Sequence, residues 1–144
     1  MFTRKKAKEA AERLRDVAFF EGFTDQDLAR VAGLADEVEA EEGAELTDQG
    51  RPGLECFVIL DGRASVLVAE EHVATLEKGS MVGEMALIDH RPRSATVIAE
   101  TPMTLLAFDT KAFSKMLDEM PAARQKVMVL LNDRLRDNRE RRQS

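Results

Sequence analysis

Gly83-Glu84-Met85-Ala86-Leu87-Ile88-Asp89-His90-Arg91-Pro92-Arg93-Ser94-Ala95-Thr96-Val97 sets one carboxylate, Glu84, and one guanidinium, Arg93, nine residues apart around a short stretch of helical character. Gly83 has no Cβ, so the chain can turn tightly there and a ligand can come close to the backbone. Glu84 to Asp89 reads as roughly one and a half turns of helix, whose free N–H groups and positive dipole end suit an anion. Pro92 fixes its own φ and biases Arg91 towards an extended backbone, so Arg93 is expected to open a strand and aim back at the helix start. A planar guanidinium grips two phosphate oxygens at once. Ionised Glu84 only accepts hydrogen bonds, which assigns it to a sugar hydroxyl, while Ser94 adds a hydroxyl and a backbone N–H for the phosphate. An arginine for an anion and a glutamate for a diol suit a small ribose phosphate.

The run GEMALIDHRPRSATV resembles the phosphate-binding cassette of the cyclic nucleotide-binding domains, found in the catabolite activator protein, protein kinase A regulatory subunits and cyclic nucleotide-gated channels. The resemblance implies that Glu84 takes the ribose 2′-hydroxyl and Arg93 the equatorial cyclic phosphate oxygen. Gly83, Ala86 and Ser94 would add backbone or hydroxyl hydrogen bonds, with Met85 and Ala95 completing the ligand-binding set. It extends from about Val17 to about Leu135. Phe20-Glu21-Gly22-Phe23-Thr24 followed by Leu28 and Val31 resembles the helix leading into the domain, and Gly43, Gly50 and Gly53 to Gly62 match the jelly-roll glycine spacing. Two positions depart from the pattern: Val82, where the family usually has an aromatic, and Phe57, where it often has tyrosine. Both are apolar exchanges expected to change packing and not ligand chemistry. A structural Glu84–Arg93 ion pair is the plainer alternative, but it does not account for the glycine, proline and serine around it.

The implied fold is α+β, an antiparallel β jelly-roll barrel flanked by N-terminal helices and two C-terminal helices. The 144 residues read as one domain, with helices over 1–35, a β-roll over 36–109 carrying the cassette at 83–96, and hinge and lid helices over 110–144. Local patterns agree. Thr3 to Ala18 is predicted as a first helix with a thin stripe of Ala7, Ala10, Ala11, Leu14, Val17 and Ala18. Thr24, with Asp27 three residues on, is predicted to cap a second helix ending near Leu34. From Val38 to about Phe108 short alternating segments are punctuated by glycines, and Asp61-Gly62 is predicted as a hairpin between Leu54–Leu60 and Ala64–Ala69. A helical period resumes at Thr110 with Phe113, Met116, Leu117 and Met120 on one face. Pro121 interrupts or restarts it, and Val127, Met128, Leu131 and Leu135 continue the stripe. In the family the lid covers the base, and Leu131, Arg134 or Leu135 is the candidate for that cap; packing on the barrel or on a second copy is the other reading.

Composition narrows the function. The single cysteine, Cys56, lies in the apolar run Cys56-Phe57-Val58-Ile59-Leu60 and is predicted to be a core residue of a protein from a reducing compartment. The start lacks an apolar stretch behind its charges and no run approaches the ~18 residues of a membrane helix, so a soluble cytoplasmic protein without a membrane partner is expected. Residues 1–20 sum to +3 and 111–144 to +4, while 21–110 sum to −13. An acidic body argues against broad nucleic-acid binding, and the few residues after Leu135 cannot supply a helix-turn-helix. His72 and His90 are far apart in sequence, so no metal site is expected. No cofactor is implied beyond the ligand itself. No P-loop, zinc helix or nucleophile elbow is visible, so the chain is not expected to be an enzyme. Met103, Met116, Met120 and Met128 are predicted as core filler, and Arg91 as a surface charge balancing Asp89 and Glu100.

The leading expectation is a non-catalytic sensor that binds a cyclic nucleotide and signals to an unidentified effector protein by moving its C-terminal helices. Ser94 can meet the phosphate or the 2-amino group of a guanine held syn, which leaves cyclic AMP and cyclic GMP both open at that residue. The lack of another guanine reader favours cyclic AMP. A ligand-free protein-interaction module of the same fold is the alternative. The first helix and the stripe Val127 to Leu135 are the candidate contact surfaces, the latter for an isologous homodimer.

Overall fold

Burial of consecutive side chains along two central strands explains the architecture, which a computed structural model describes for residues 2–6, 11–47, 50, 55–83, 95–129 and 132. Strand β4 (Glu55–Asp61) is buried from Cys56 to Leu60, and β9 (Met103–Asp109) is buried at almost every position. Successive residues on a strand point to opposite faces, so such runs require cover on both sides. Phe57 and Ile59 of β4, with Met103, Leu105 and Ala107 of β9, join one core cluster. Cys56, Val58 and Leu60, with Leu106 and Phe108, join the other.

The remaining strands are β1 (Phe2–Lys6), β2 (Asp36–Ala40), β3 (Glu45–Thr47), β5 (Ala64–Val68), β6 (Glu71–Leu76), β7 (Met81–Val82) and β8 (Thr96–Ala99). They form two antiparallel sheets, one of five strands in the order β1-β2-β9-β4-β7 and the other of four in the order β3-β8-β5-β6. The first core cluster lies between these sheets. The second lies between the five-stranded sheet and the helices, which contribute Leu14, Val17, Leu28, Val31, Phe113, Met116, Met120, Ala123 and Val127. The result is a jelly roll of two facing sheets with helices on one outer face. Among the described strands the two sheets do not close into one ring.

The helices follow their caps. After the single turn α1 (Ala11–Leu14), helix α2 (Asp25–Leu34) starts with the expected capping box. The Asp27 N–H donates to Thr24 Oγ1 at 3.1 Å and the Thr24 N–H to Asp27 Oδ2 at 3.3 Å. Helix α3 (Thr110–Glu119) starts with Asp109, whose Oδ1 accepts from the Ala112 N–H at 2.7 Å. Phe113, Met116 and Met120 are its buried face, as their spacing predicts. Pro121 opens a further helical run, 121–129, where a missing N–H costs nothing. No helix among the described residues is long and apolar enough to cross a membrane. Cys56 is fully buried, as expected.

Three expectations are corrected. Thr3 to Ala18 is not one helix: residues Phe2–Lys6 pair antiparallel with β2, and α1 spans only Ala11–Leu14, before a 3-10 turn at Ala18–Phe20. The backbone ladder to β2 overrides helix propensity there. Asp61-Gly62 joins no hairpin, because β4 and β5 lie in different sheets, and the turn is the corner between them. The hairpin is β5–β6, closed by Ala69 and Glu70, both at positive φ (50° and 69°) in the pattern of a type I′ turn. Met128 is 56 % exposed and therefore not core, unlike Met103, Met116 and Met120.

Candidate functional site

The two described ends of the cassette lie on different sheets. At one end, β7 forms the edge of the five-stranded sheet, with Val82 opposite Phe57 and Met81 opposite Val58 on β4. The two departures from the family pattern are thus cross-strand partners. Both are buried in the core between the sheets, at 2 % and 4 % exposure, which is the packing role expected of them. Gly83 follows at φ 81°, a conformation that an L side chain adopts only at a cost, so the glycine permits the departure of the chain from the strand.

At the other end, Ala95 leads into β8, which runs inside the four-stranded sheet between β3 and β5. The Thr47 hydroxyl donates to the Ala95 carbonyl at 2.9 Å. Thr47 is only 7 % exposed, so this bond also satisfies a buried hydroxyl. The motif does not announce Thr47, which is remote in sequence and an ordinary strand residue. Beyond it β8 is held at its far end, where the Ala99 N–H donates to the Ala44 carbonyl and the Glu100 N–H to the Arg63 carbonyl, at 2.8 and 2.9 Å. β7 and β8, the strands on either side of residues 84–94, thus belong to different sheets.

Of the candidate ligand-binding residues, the structure describes Gly83 and Ala95. Glu84, Met85, Ala86, Arg93 and Ser94 lie outside the described residues, as do His90 and Arg91 and the candidate base caps Leu131, Arg134 and Leu135. Among the described residues, Glu100 accepts from Arg63 Nε at 3.2 Å and from the Ser65 hydroxyl. The Ser65 hydrogen bond is the main cause that holds its carboxyl below the usual range, partial desolvation opposing it and Arg63 assisting it. His72 sits exposed on β6 with Nε2 3.1 Å from Thr75 Oγ1. Among the described residues no group of three or more His, Cys, Asp or Glu is placed to hold a metal ion.

Two surface cavities are formed by described residues away from Gly83 and Ala95. One, about 500 Å³, lies between α2 and α3 and is lined by Arg30, Gly33, Leu34, Lys115 and Glu119. The other, about 370 Å³, is lined by Glu39, Glu41, Glu42 and Asp61 together with Ala40 and Pro102 to Thr104. Its four carboxylates would repel a phosphate, so the acidic cavity is not an anion site.

The family model described as the cyclic nucleotide-binding domain matches residues 37–120, more than half of the chain and inclusive of the whole cassette. A cAMP-dependent protein kinase regulatory subunit from Mucor circinelloides f. lusitanicus is 32 % identical over 108 residues, covering 72 % of this chain and 25 % of that protein. The chain thus spans about a quarter of the length of that relative. Among solved structures, a cyclic nucleotide-binding domain from Methylobacillus flagellatus KT superposes with a TM-score of 0.79 at 24 % identity, covering 97 % of this chain and 86 % of that one. The regulatory domain of Toxoplasma gondii PKA with cAMP superposes with a TM-score of 0.77 at 21 % identity, covering 89 % and 50 %. Fold, cassette and family match agree, and the chain belongs to the cyclic nucleotide-binding domain family.

Proposed function

We propose that this chain binds cyclic AMP, in preference to cyclic GMP, as a non-catalytic regulatory module. The observation that carries the proposal is that Glu84, Arg93 and Ser94 fall within the family match, between Gly83 at the end of β7 on one sheet and Ala95, held by Thr47, at the start of β8 on the other. There Arg93 would take the cyclic phosphate and Glu84 the ribose hydroxyl. The kinase regulatory subunit from Mucor is cAMP-dependent by name, which supports both the ligand and the regulatory role.

The output would pass through β4. Its Phe57 faces Val82 at the start of the cassette, and its Cys56, Val58 and Leu60 share a core with Phe113 and Met116 of α3. A ligand that shifts the β7 edge thereby changes the packing under the C-terminal helices, and it does so only to the extent that it binds the two arrangements unequally. An effector protein, or a second copy, would read that change.

Equilibrium dialysis with labelled cyclic AMP, competed by unlabelled cyclic AMP, cyclic GMP and 5′-AMP, tests ligand and selectivity together. Cyclic AMP should compete best, 5′-AMP worst, and the nucleotide should be recovered unchanged. Stronger competition by cyclic GMP would move the chain to the other nucleotide, and a hydrolysed product would make it an enzyme.

A further inference from the structure

Strand β3 buries two residues in succession, Leu46 and Thr47. A regular strand turns successive side chains to opposite faces, so this run needs an irregularity. The pairing with β8 supplies it. Glu45 lies opposite Ile98 but Thr47 lies opposite Val97, so β3 advances by two residues where β8 advances by one. Such a β-bulge re-aims a side chain. Paired residues share a face, and Val97 belongs with Leu46 to the core between the sheets. The bulge therefore turns Thr47 inward as well.

Packing does not call for a threonine there. Among the described residues only Thr47 and Glu37 are polar and buried, at 7 % and 6 % exposure, and Glu37 has Arg13 at 2.8 Å. Valine has the shape of threonine without a hydroxyl to desolvate, and would fill the same place at lower cost. What the hydroxyl adds is its bond to the Ala95 carbonyl, 2.9 Å long and made across 48 residues of sequence. Because the peptide unit is planar, holding that oxygen fixes the Ala95–Thr96 plane and with it the position of the Ala95 Cα. Arg93 and Ser94 are the two residues that precede it. Ala95 is only half-buried, so water can replace the hydroxyl without leaving the carbonyl unpaired. Overall stability then depends little on the bond, and the alignment of the chain ahead of Ala95 depends on it more.

We infer that Thr47 is a positioning residue of the nucleotide site: by holding the Ala95 carbonyl it sets the start of β8, so that Arg93 reaches the cyclic phosphate with less ordering left to do at the moment of binding. The inference rests on the nucleotide reading and adds to it a residue outside the cassette.

The test measures cyclic AMP affinity by calorimetry for Thr47→Val, Thr47→Ala and Thr47→Ser, each with Arg93 intact and with Arg93→Lys, and records the urea midpoint of every protein. Thr47→Val should weaken binding roughly three- to tenfold, the worth of one hydrogen bond, with a midpoint close to that of the wild type. Thr47→Ala should weaken it at least as much and serves alone where the valine variant does not fold. Thr47→Ser, which keeps the hydroxyl, should bind within about twofold of wild type. Arg93→Lys keeps the charge but loses the fork, so in that background Thr47→Val should cost less than about twofold. Unchanged affinity in Thr47→Val overturns the inference. So does a loss that serine does not restore, or one of the same factor in both Arg93 backgrounds, since either makes the role of Thr47 purely structural. Absence of binding by folded, nucleotide-free wild type overturns the nucleotide reading itself, and the inference with it.

Discussion

At Gly62 the backbone sits at φ 99°, and a Cβ placed there would stand 2.6 Å from the Pro102 carbonyl oxygen and 2.8 Å from Met103 Cγ. Both conformation and space are forbidden to a side chain, and the nearer obstacle is backbone, which cannot swing aside. Gly62→Ala should lower stability by about 2–4 kcal/mol in urea denaturation; a loss below about 0.5 kcal/mol would mean that the corner relaxes freely. Glu100 offers a test of a different kind. Because its folded pKa is depressed, its contribution to stability is present above the unfolded carboxylate pKa and is lost as the pH falls through the folded value. Removing the hydroxyl with Ser65→Ala should move the Glu100 titration upwards, towards the ordinary value, and flatten the acid limb of stability below about pH 5. An NMR titration of the Glu100 carboxyl reads this directly, and an unmoved midpoint would discard Ser65 as the cause.

The β5–β6 turn shows how elements can be misjudged from sequence. Asp61-Gly62 carries the stronger hairpin signal, yet it marks a corner, because the register is settled by which faces the two strands bury. Ala69-Glu70 carries no such signal and closes the hairpin with two residues in the left-handed region. The double substitution Ala69→Asn with Glu70→Gly supplies the residues that such a turn prefers. It should stabilise the protein by about 1 kcal/mol, measured as a raised urea midpoint. A lowered midpoint would show that the native side chains matter elsewhere. By contrast, helix α2 was legible from Thr24 and Asp27, and α3 from the spacing of Phe113, Met116 and Met120, since caps and helical periods are local. The β1–β2 pair was not, because the strand partner of residues 2–6 lies about thirty residues or more away along the chain.

For the whole molecule, the double burial of β4 and β9 makes the five-stranded sheet the element on which both cores depend. Phe108→Ala, in the helix-side core, should cost about 3–5 kcal/mol in thermal or urea unfolding. A loss near about 1 kcal/mol would contradict the layered packing. The motif between Gly83 and Val97 names the candidate ligand contacts from residue chemistry alone, whereas the anchor at Thr47 and the placing of β7 and β8 on different sheets follow only from the fold. Those two levels meet at Arg93. The most direct measurement is calorimetric titration of cyclic AMP into wild-type protein and into Arg93→Ala, both shown to be folded and free of nucleotide. A buried charge partner is worth ~2–5 kcal/mol, so binding should weaken roughly thirtyfold or more in the variant. Equal affinity in the two proteins, or no heat of binding to the wild type, would contradict the account.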